Sequence, residues 1–287
     1  MKLKSWLVYA FITMVFWGVW GAFIEIPEKA GFPATLGYVV WAITMVIPAI
    51  IALKIANWKL DRSKKAVWQG IIIGISGSAG QLLLFQALRT GPAYLVFPFV
   101  SLSPLVTILL SVWLLKEKAS VKAWIGIVIA LIAILFLSYQ PPSNGQKFGF
   151  FWIILSLCVF MLWGVQAYFI KLANVHTNAE SIFFYMMVSG IALIPVAILM
   201  TDFSKAINWG IKGPYLAAAI QILNSIGALF LVYAFRFGKA IIVSPLANAG
   251  APVITIILSL LIYGIFPGPA ILFGMIMAIV AIFLLSN

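Results

Sequence analysis

Residues 87–138 read ALRTGPAYLVFPFVSLSPLVTILLSVWLLKEKASVKAWIGIVIALIAILFLS, and residues 234–286 read AFRFGKAIIVSPLANAGAPVITIILSLLIYGIFPGPAILFGMIMAIVAIFLLS. The second stretch repeats the first. Arg89, Gly91, Ala93, Val96 and Pro98 recur 147 residues later as Arg236, Gly238, Ala240, Val243 and Pro245. One inserted residue then moves the offset to 148, and Pro104, Thr107, Ser111, Gly126, Ala130 and Ser138 recur as Pro252, Thr255, Ser259, Gly274, Ala278 and Ser286. Self-similarity at one fixed spacing means that the chain is built from two copies of one unit. In an apolar chain that is the organisation of a transporter made of two repeats.

The solvent follows from composition. Of the 287 residues, 64% are hydrophobic and 8% are charged. A water-soluble domain cannot hide that much apolar surface, so the protein belongs in a lipid bilayer. Runs of about 20 apolar residues recur, each long enough to cross a hydrocarbon core of ~30 Å. Backbone crossing lipid must satisfy its own hydrogen bonds, and the runs lack the alternation of barrel strands, so they are helices. Ten are expected, at roughly 5–24, 36–53, 66–88, 93–115, 121–139, 149–170, 181–200, 213–235, 240–263 and 268–286. Phe16-Trp17-Gly18-Val19 in helix 1 resembles Leu162-Trp163-Gly164-Val165 in helix 6. The match extends the repeat to the start of the chain and argues against reading helix 1 as a removable leader. The division is a first five-helix repeat at 1–139, a polar linker at 140–148 (QPPSNGQKF) and a second repeat at 149–287, together one structural unit.

Five is odd, so the second repeat enters from the opposite side and the repeats are inverted. With the N-terminus in the cytoplasm, Lys29, Arg89, Lys147, Lys205 and Lys212 lie outside, and the other 13 of the 18 lysines and arginines lie inside. The positive-inside rule therefore places both termini in the cytoplasm. The first repeat drives that asymmetry. The expected location is a bacterial inner membrane, and the expected partners are the lipid bilayer and a small-molecule substrate. Short loops account for the net charge of +12 without nucleic acid. A homodimer is compatible with the sequence.

Inverted five-helix halves, a Trp-Gly in helices 1 and 6, and ALRTGPA running into a proline-bearing helix resemble the drug/metabolite transporter superfamily in its EamA-type branch. The resemblance covers nearly the whole chain and is most specific over 87–138, where LLKEKAS resembles the Leu-Gly-Glu ending of helix 4 in that group. This chain departs in having Lys116 where glycine is usual, and its second copy carries Gly264 followed by Ile265 instead of an acid. The resemblance implies secondary transport of small metabolites by alternating access, with the substrate left open.

Polar groups inside the spans are few, and each has two readings. On helix 3, Gly74, Gly77, Ser78 and Gln81 share one face, and helix 8 carries Asn224 and Ser225 at matching depth. Small residues permit close helix packing and amides act as glue. Alternatively, Gln81 and Asn224 face a central cavity and bind substrate, and Asn248 on helix 9 reads the same way. Trp17 and Trp163 lie too deep for an interfacial belt and are either core filling or an aromatic cavity wall. Pro98, Pro104, Pro245 and Pro252 bend helices 4 and 9, as static kinks or as gating hinges. Arg89 and Arg236 end helices 3 and 8 at opposite faces, as snorkelling anchors or as anion attractors at each mouth.

No carboxylate, histidine or lysine sits in the middle of a span. Glu25, at the end of helix 1 on the face of Trp17 and Gly21, is the candidate for ion coupling, and its counterpart in the second repeat is Lys171. Snorkelling from a helix end accounts for both equally well. Glu117 reads as an interfacial charge, and Glu180 as a complement to the dipole of helix 7. His176 is the one histidine and Cys158 the one cysteine. No catalytic residue, metal or cofactor is expected, because neither clustered metal ligands nor a serine elbow is present. The expected function is a secondary transporter of a small polar or amphipathic metabolite: an amino acid, a sugar or a drug-like compound. The alternatives are a structural or partner-recruiting multi-pass protein and, further off, a membrane-embedded enzyme.

Overall fold

A computed structural model describes residues 4–139, 149–264 and 266–286. The expected linker at 140–148, and Ile265, lie outside the described residues. Every regular element among them is helical: α1 (Ser5–Phe23), α2 (Glu25–Lys29), α3 (Ala34–Thr44), α4 (Val46–Ile55), α5 (Lys64–Thr90), α6 (Ala93–Ser101), α7 (Pro104–Trp113), α8 (Val121–Leu137), α9 (Phe151–Ala173), α10 (Ala179–Ala192), α11 (Ile194–Leu199), α12 (Leu216–Phe237), α13 (Ala240–Tyr263) and α14 (Pro269–Ser286). A wide turn, Ile211–Tyr215, leads into α12. Among the described residues, nine stretches are long and apolar enough to cross a membrane, and the shorter Val121–Leu137 makes the tenth. The fold is all-α, with ten spans in two inverted sets of five.

Proline divides three of the spans. Pro48 and Pro195 follow breaks at Met45 and Leu193, so the second and seventh spans are α3 with α4 and α10 with α11. Pro104 opens α7 after a break at Leu102–Ser103. Its repeat partner Pro252 lies instead inside the unbroken α13, together with Pro245. Spacing accounts for the difference. Seven residues are nearly two full turns, so the bonds lost at Pro245 and Pro252 fall on one side of the helix. The six between Pro98 and Pro104 put them about 120° apart.

The repeats interlock. α1 packs on α12 and α13, and α9 packs on α5, α6 and α7. Each central contact is the other's repeat image. A side chain at Gly227 would run into the Trp17 indole, and one at Gly80 into that of Trp163. The Thr255 hydroxyl donates to the Gly18 carbonyl at 3.0 Å, as does that of Thr107 to Gly164 at 3.0 Å. Gly126 on α8 sits under Leu284 and Leu285 of α14, and Gly274 on α14 under Phe136 and Leu137. Small residues that recur between the repeats are thus the points where one repeat's backbone receives the other's side chains.

Candidate functional site

α1, α3, α5 and α12 enclose a cavity of about 690 Å³. Its floor is polar and aromatic: Gln81 from α5, Gln221 and Asn224 from α12, Tyr38 and Trp41 from α3 and Trp20 from α1. Its rim holds Glu25, Glu28, Arg89, Asp202 and Lys205, all exposed. Glu25 and Glu28 follow the far end of α1, Arg89 is in the last turn of α5, and Asp202 and Lys205 follow α11. The cavity therefore opens on the face opposite the ends of the chain.

Two amides are set differently. The Trp20 indole donates to Gln221 Oε1 at 3.0 Å, which fixes that oxygen and turns the amide nitrogen elsewhere. Gln81 makes no hydrogen bond to a described residue and faces the cavity. An amide in an apolar surround is costly without a partner, so water or a bound solute must satisfy it. Tyr38 is 1% exposed and its hydroxyl donates to the Gly190 carbonyl at 2.9 Å, so it backs the lining and offers no free hydroxyl.

Several charges at the rim have local partners. Glu25 and Lys29 form an ion pair at 2.6 Å on a single helical turn. Asp202 accepts from the Ser204 hydroxyl at 2.6 Å and from its backbone N–H at 3.1 Å, and these bonds hold its carboxyl below the usual carboxylate range. The Arg89 guanidinium donates to the Met200 carbonyl at 2.9 Å, tying the end of α5 to the end of α11.

Of the residues singled out in the sequence, Gln81, Asn224, Glu25 and Arg89 lie together on this cavity, and the others lie elsewhere. The indoles of Trp17 and Trp163 donate across the repeat boundary, to the Asn224 carbonyl at 3.3 Å and the Gly77 carbonyl at 3.4 Å. They cover Gly227 and Gly80 instead of lining the cavity. Asn248 donates to Ser244 of its own helix at 2.9 Å. Pro98, Pro104, Pro245 and Pro252 lie in α6, α7 and α13, away from the cavity lining. Arg236 is exposed on the other face with its guanidinium over Phe237. Along the helix 3 stripe, Gly74 receives Ser189 and Gly77 receives Gln166, while Gln81 lines the cavity. Trp20 and Gln221 were not singled out in the sequence. Their repeat counterparts are Gln166 and Gly74, so symmetry, the signal that exposed the other pairs, does not mark them.

The face that carries the chain ends is closed by bonds between elements. Glu117 accepts from the backbone N–H groups of Ala240 and Ile241, both at 3.1 Å. Lys171 donates to the carbonyls of Phe235 at 3.0 Å and Gly238 at 2.6 Å. The Tyr185 hydroxyl donates to the Asp61 carbonyl at 2.8 Å, and Asn178 donates to Lys59 at 2.9 Å. Glu180, in the first turn of α10, accepts from the Tyr233 hydroxyl at 2.6 Å. His176 is an exposed loop residue.

Known proteins resemble the chain over half or more of its length or over one repeat. The model of the EamA-like transporter family matches residues 4–139 and again 150–287. Protein LicB of Haemophilus influenzae is 24% identical over 79% of this chain and 87% of its own. An uncharacterized protein of Methanocaldococcus jannaschii is 33% identical, and 46% of this chain covers 95% of it. An uncharacterized transporter of Archaeoglobus fulgidus is 30% identical over 54% of each chain. A solved crystal structure superposes over 99% of this chain and 98% of the other with a TM-score of 0.78, at 17% identity.

Proposed function

The chain belongs to the EamA-like transporter family, and from that premise we propose that it carries a small polar or amphipathic metabolite across the membrane by alternating access. The observation that carries this reading is the cavity. It is open at one face and closed at the other, and it holds an unpartnered amide on its floor. Its volume of about 690 Å³ suits a solute the size of an amino acid, a sugar or a drug-like compound. Gln81, Asn224 and the Trp20-held Gln221 supply hydrogen bonds, while the ring of Trp41, backed by the buried Tyr38, takes the apolar part of the solute. Trp17 and Trp163 shape the floor from behind. The breaks and bends at Pro98, Pro104, Pro245 and Pro252 are where the gating spans change direction.

In this reading both termini are cytoplasmic, the open mouth is external, and the protein works in a bacterial inner membrane. The protein is a transporter and not an enzyme. A purely structural or partner-recruiting protein would have no use for a polar cavity open to water. The test is uptake by proteoliposomes of a panel of radiolabelled amino acids, sugars and amphipathic drugs. At least one solute is expected to enter faster than into protein-free liposomes and to exchange with its unlabelled form. Equal rates with and without protein across the panel contradict the reading.

A further inference from the structure

We propose that Glu117 and Lys171 form a clasp on the corner between α12 and α13 that holds the terminal face shut, and that a break in the repeat symmetry denies the opposite face the same clasp. The inference rests on the alternating-access reading and adds which side the cavity favours at rest.

The corner is short. α12 ends at Phe237 and α13 begins at Ala240. A helix end leaves unpaired carbonyls and partial negative charge, and a helix start leaves unpaired N–H groups and partial positive charge. Here one end meets each within four residues. Lys171, from α9, puts its ammonium on the carbonyls of Phe235 and Gly238. Glu117, from the segment after α7, puts one oxygen on each of the first two N–H groups of α13, where Lys239 offers no side-chain cap. Each charge matches the helix end it touches, and charge-assisted hydrogen bonds are the strong ones. The Lys239 ammonium adds a bond from the corner back to the Lys118 carbonyl. Opening this face requires the corner to leave all of these partners.

The opposite face has the same corner, between α5 and α6, but the repeat positions that would supply the clasp carry other residue types. In sequence, the position matching Lys171 is Glu25 and that matching Glu117 is Ile265. A carboxylate cannot donate to the carbonyls that end α5, and an isoleucine cannot accept from the start of α6. Glu25 instead pairs with Lys29, pointing into solvent. Inverted repeats would give the two faces equal closed states only if their corners were held equally. These two are held unequally, so the resting protein keeps the cavity open on the face opposite its termini.

Two single-cysteine reporters on a Cys158→Ser background test this. Leu88→Cys lies on the open cavity. Ala228→Cys replaces the repeat counterpart of Gln81, 7% exposed in this state, and is uncovered only if the cavity opens the other way. Maleimide labelling of the purified protein in nanodiscs should be fast at Leu88→Cys and slow at Ala228→Cys. Glu117→Ala or Lys171→Met should speed labelling at Ala228→Cys about tenfold, since tenfold in a population is ~1.4 kcal/mol and hydrogen bonds to charged groups contribute at least that. Lys171→Arg, which keeps the charge, should leave it near the parent rate. Unchanged labelling at Ala228→Cys in both disrupting variants overturns the clasp. So does a rise at both reporters together, which means general loosening. The reporters respond to conformation whether or not a solute is carried. A clasp effect without uptake of any solute would sink the transport reading alone.

Discussion

At the scale of single residues, the polar groups on the cavity do unlike work. Gln81 is unpartnered and Asn224 shares its floor, so a bound solute is the natural acceptor or donor for both. Asn224→Ala and Gln81→Ala should each lower the apparent affinity for the carried solute about fivefold, the equivalent of one ordinary hydrogen bond of ~1 kcal/mol. Expression and monodispersity in detergent should stay as in the parent. Full uptake in both variants would make the two amides packing groups only. Glu25 is expected to matter less. It is exposed, pairs with Lys29 one turn away, and reaches the cavity only at its rim. Glu25→Gln should therefore change neither exchange nor accumulation under a pH gradient. Loss of gradient-driven accumulation with exchange intact would instead make it the coupling carboxylate. Gln81 and Asn224 were legible in the sequence because an amide in the middle of an apolar span is conspicuous. Gln221 and Trp20 were not, because one lies near a span's end, where polar residues are common, and the other is one of several tryptophans near span ends.

Among helices, recurring glycines carry the most information. Gly80 and Gly227 each lie beneath a tryptophan of the other repeat, so their shared spacing records a packing contact made twice. Gly227→Val should destabilise the purified protein by about 1–3 kcal/mol, the usual cost of overfilling a packed site, read as a lowered thermal midpoint in detergent. Adding Trp17→Ala should recover part of the loss, because it vacates the space the new side chain needs. Additive losses in the double variant would mean that the two residues do not oppose each other. The helix count and the order of spans were readable from apolar run length alone. The breaks at Met45, Leu102–Ser103 and Leu193 were not, since a run of apolar residues looks the same whether its helix is straight or divided. Proline marks where a bond is lost, but not whether the helix breaks there: one proline accompanies each break at Met45 and Leu193, while α13 runs unbroken past two.

For the whole molecule, sidedness and path are the claims that matter. The chain ends share one face and the cavity opens on the other. With the termini cytoplasmic, a cysteine at Phe203, in the loop after α11, should react with an impermeant maleimide added to intact cells. One at His176, in the loop between α9 and α10, should react only after the cells are opened. The reverse pattern would invert the topology. The central claim is that solute moves through the 690 Å³ cavity, and it can be tested within one protein sample. Leu88→Cys on the Cys158→Ser background is reconstituted, and uptake of a solute identified from the panel is measured before and after complete modification with a bulky maleimide. The modification should abolish uptake, with the Cys158→Ser parent unaffected by the same reagent. Uptake at the full rate after complete modification at Leu88→Cys would contradict the account.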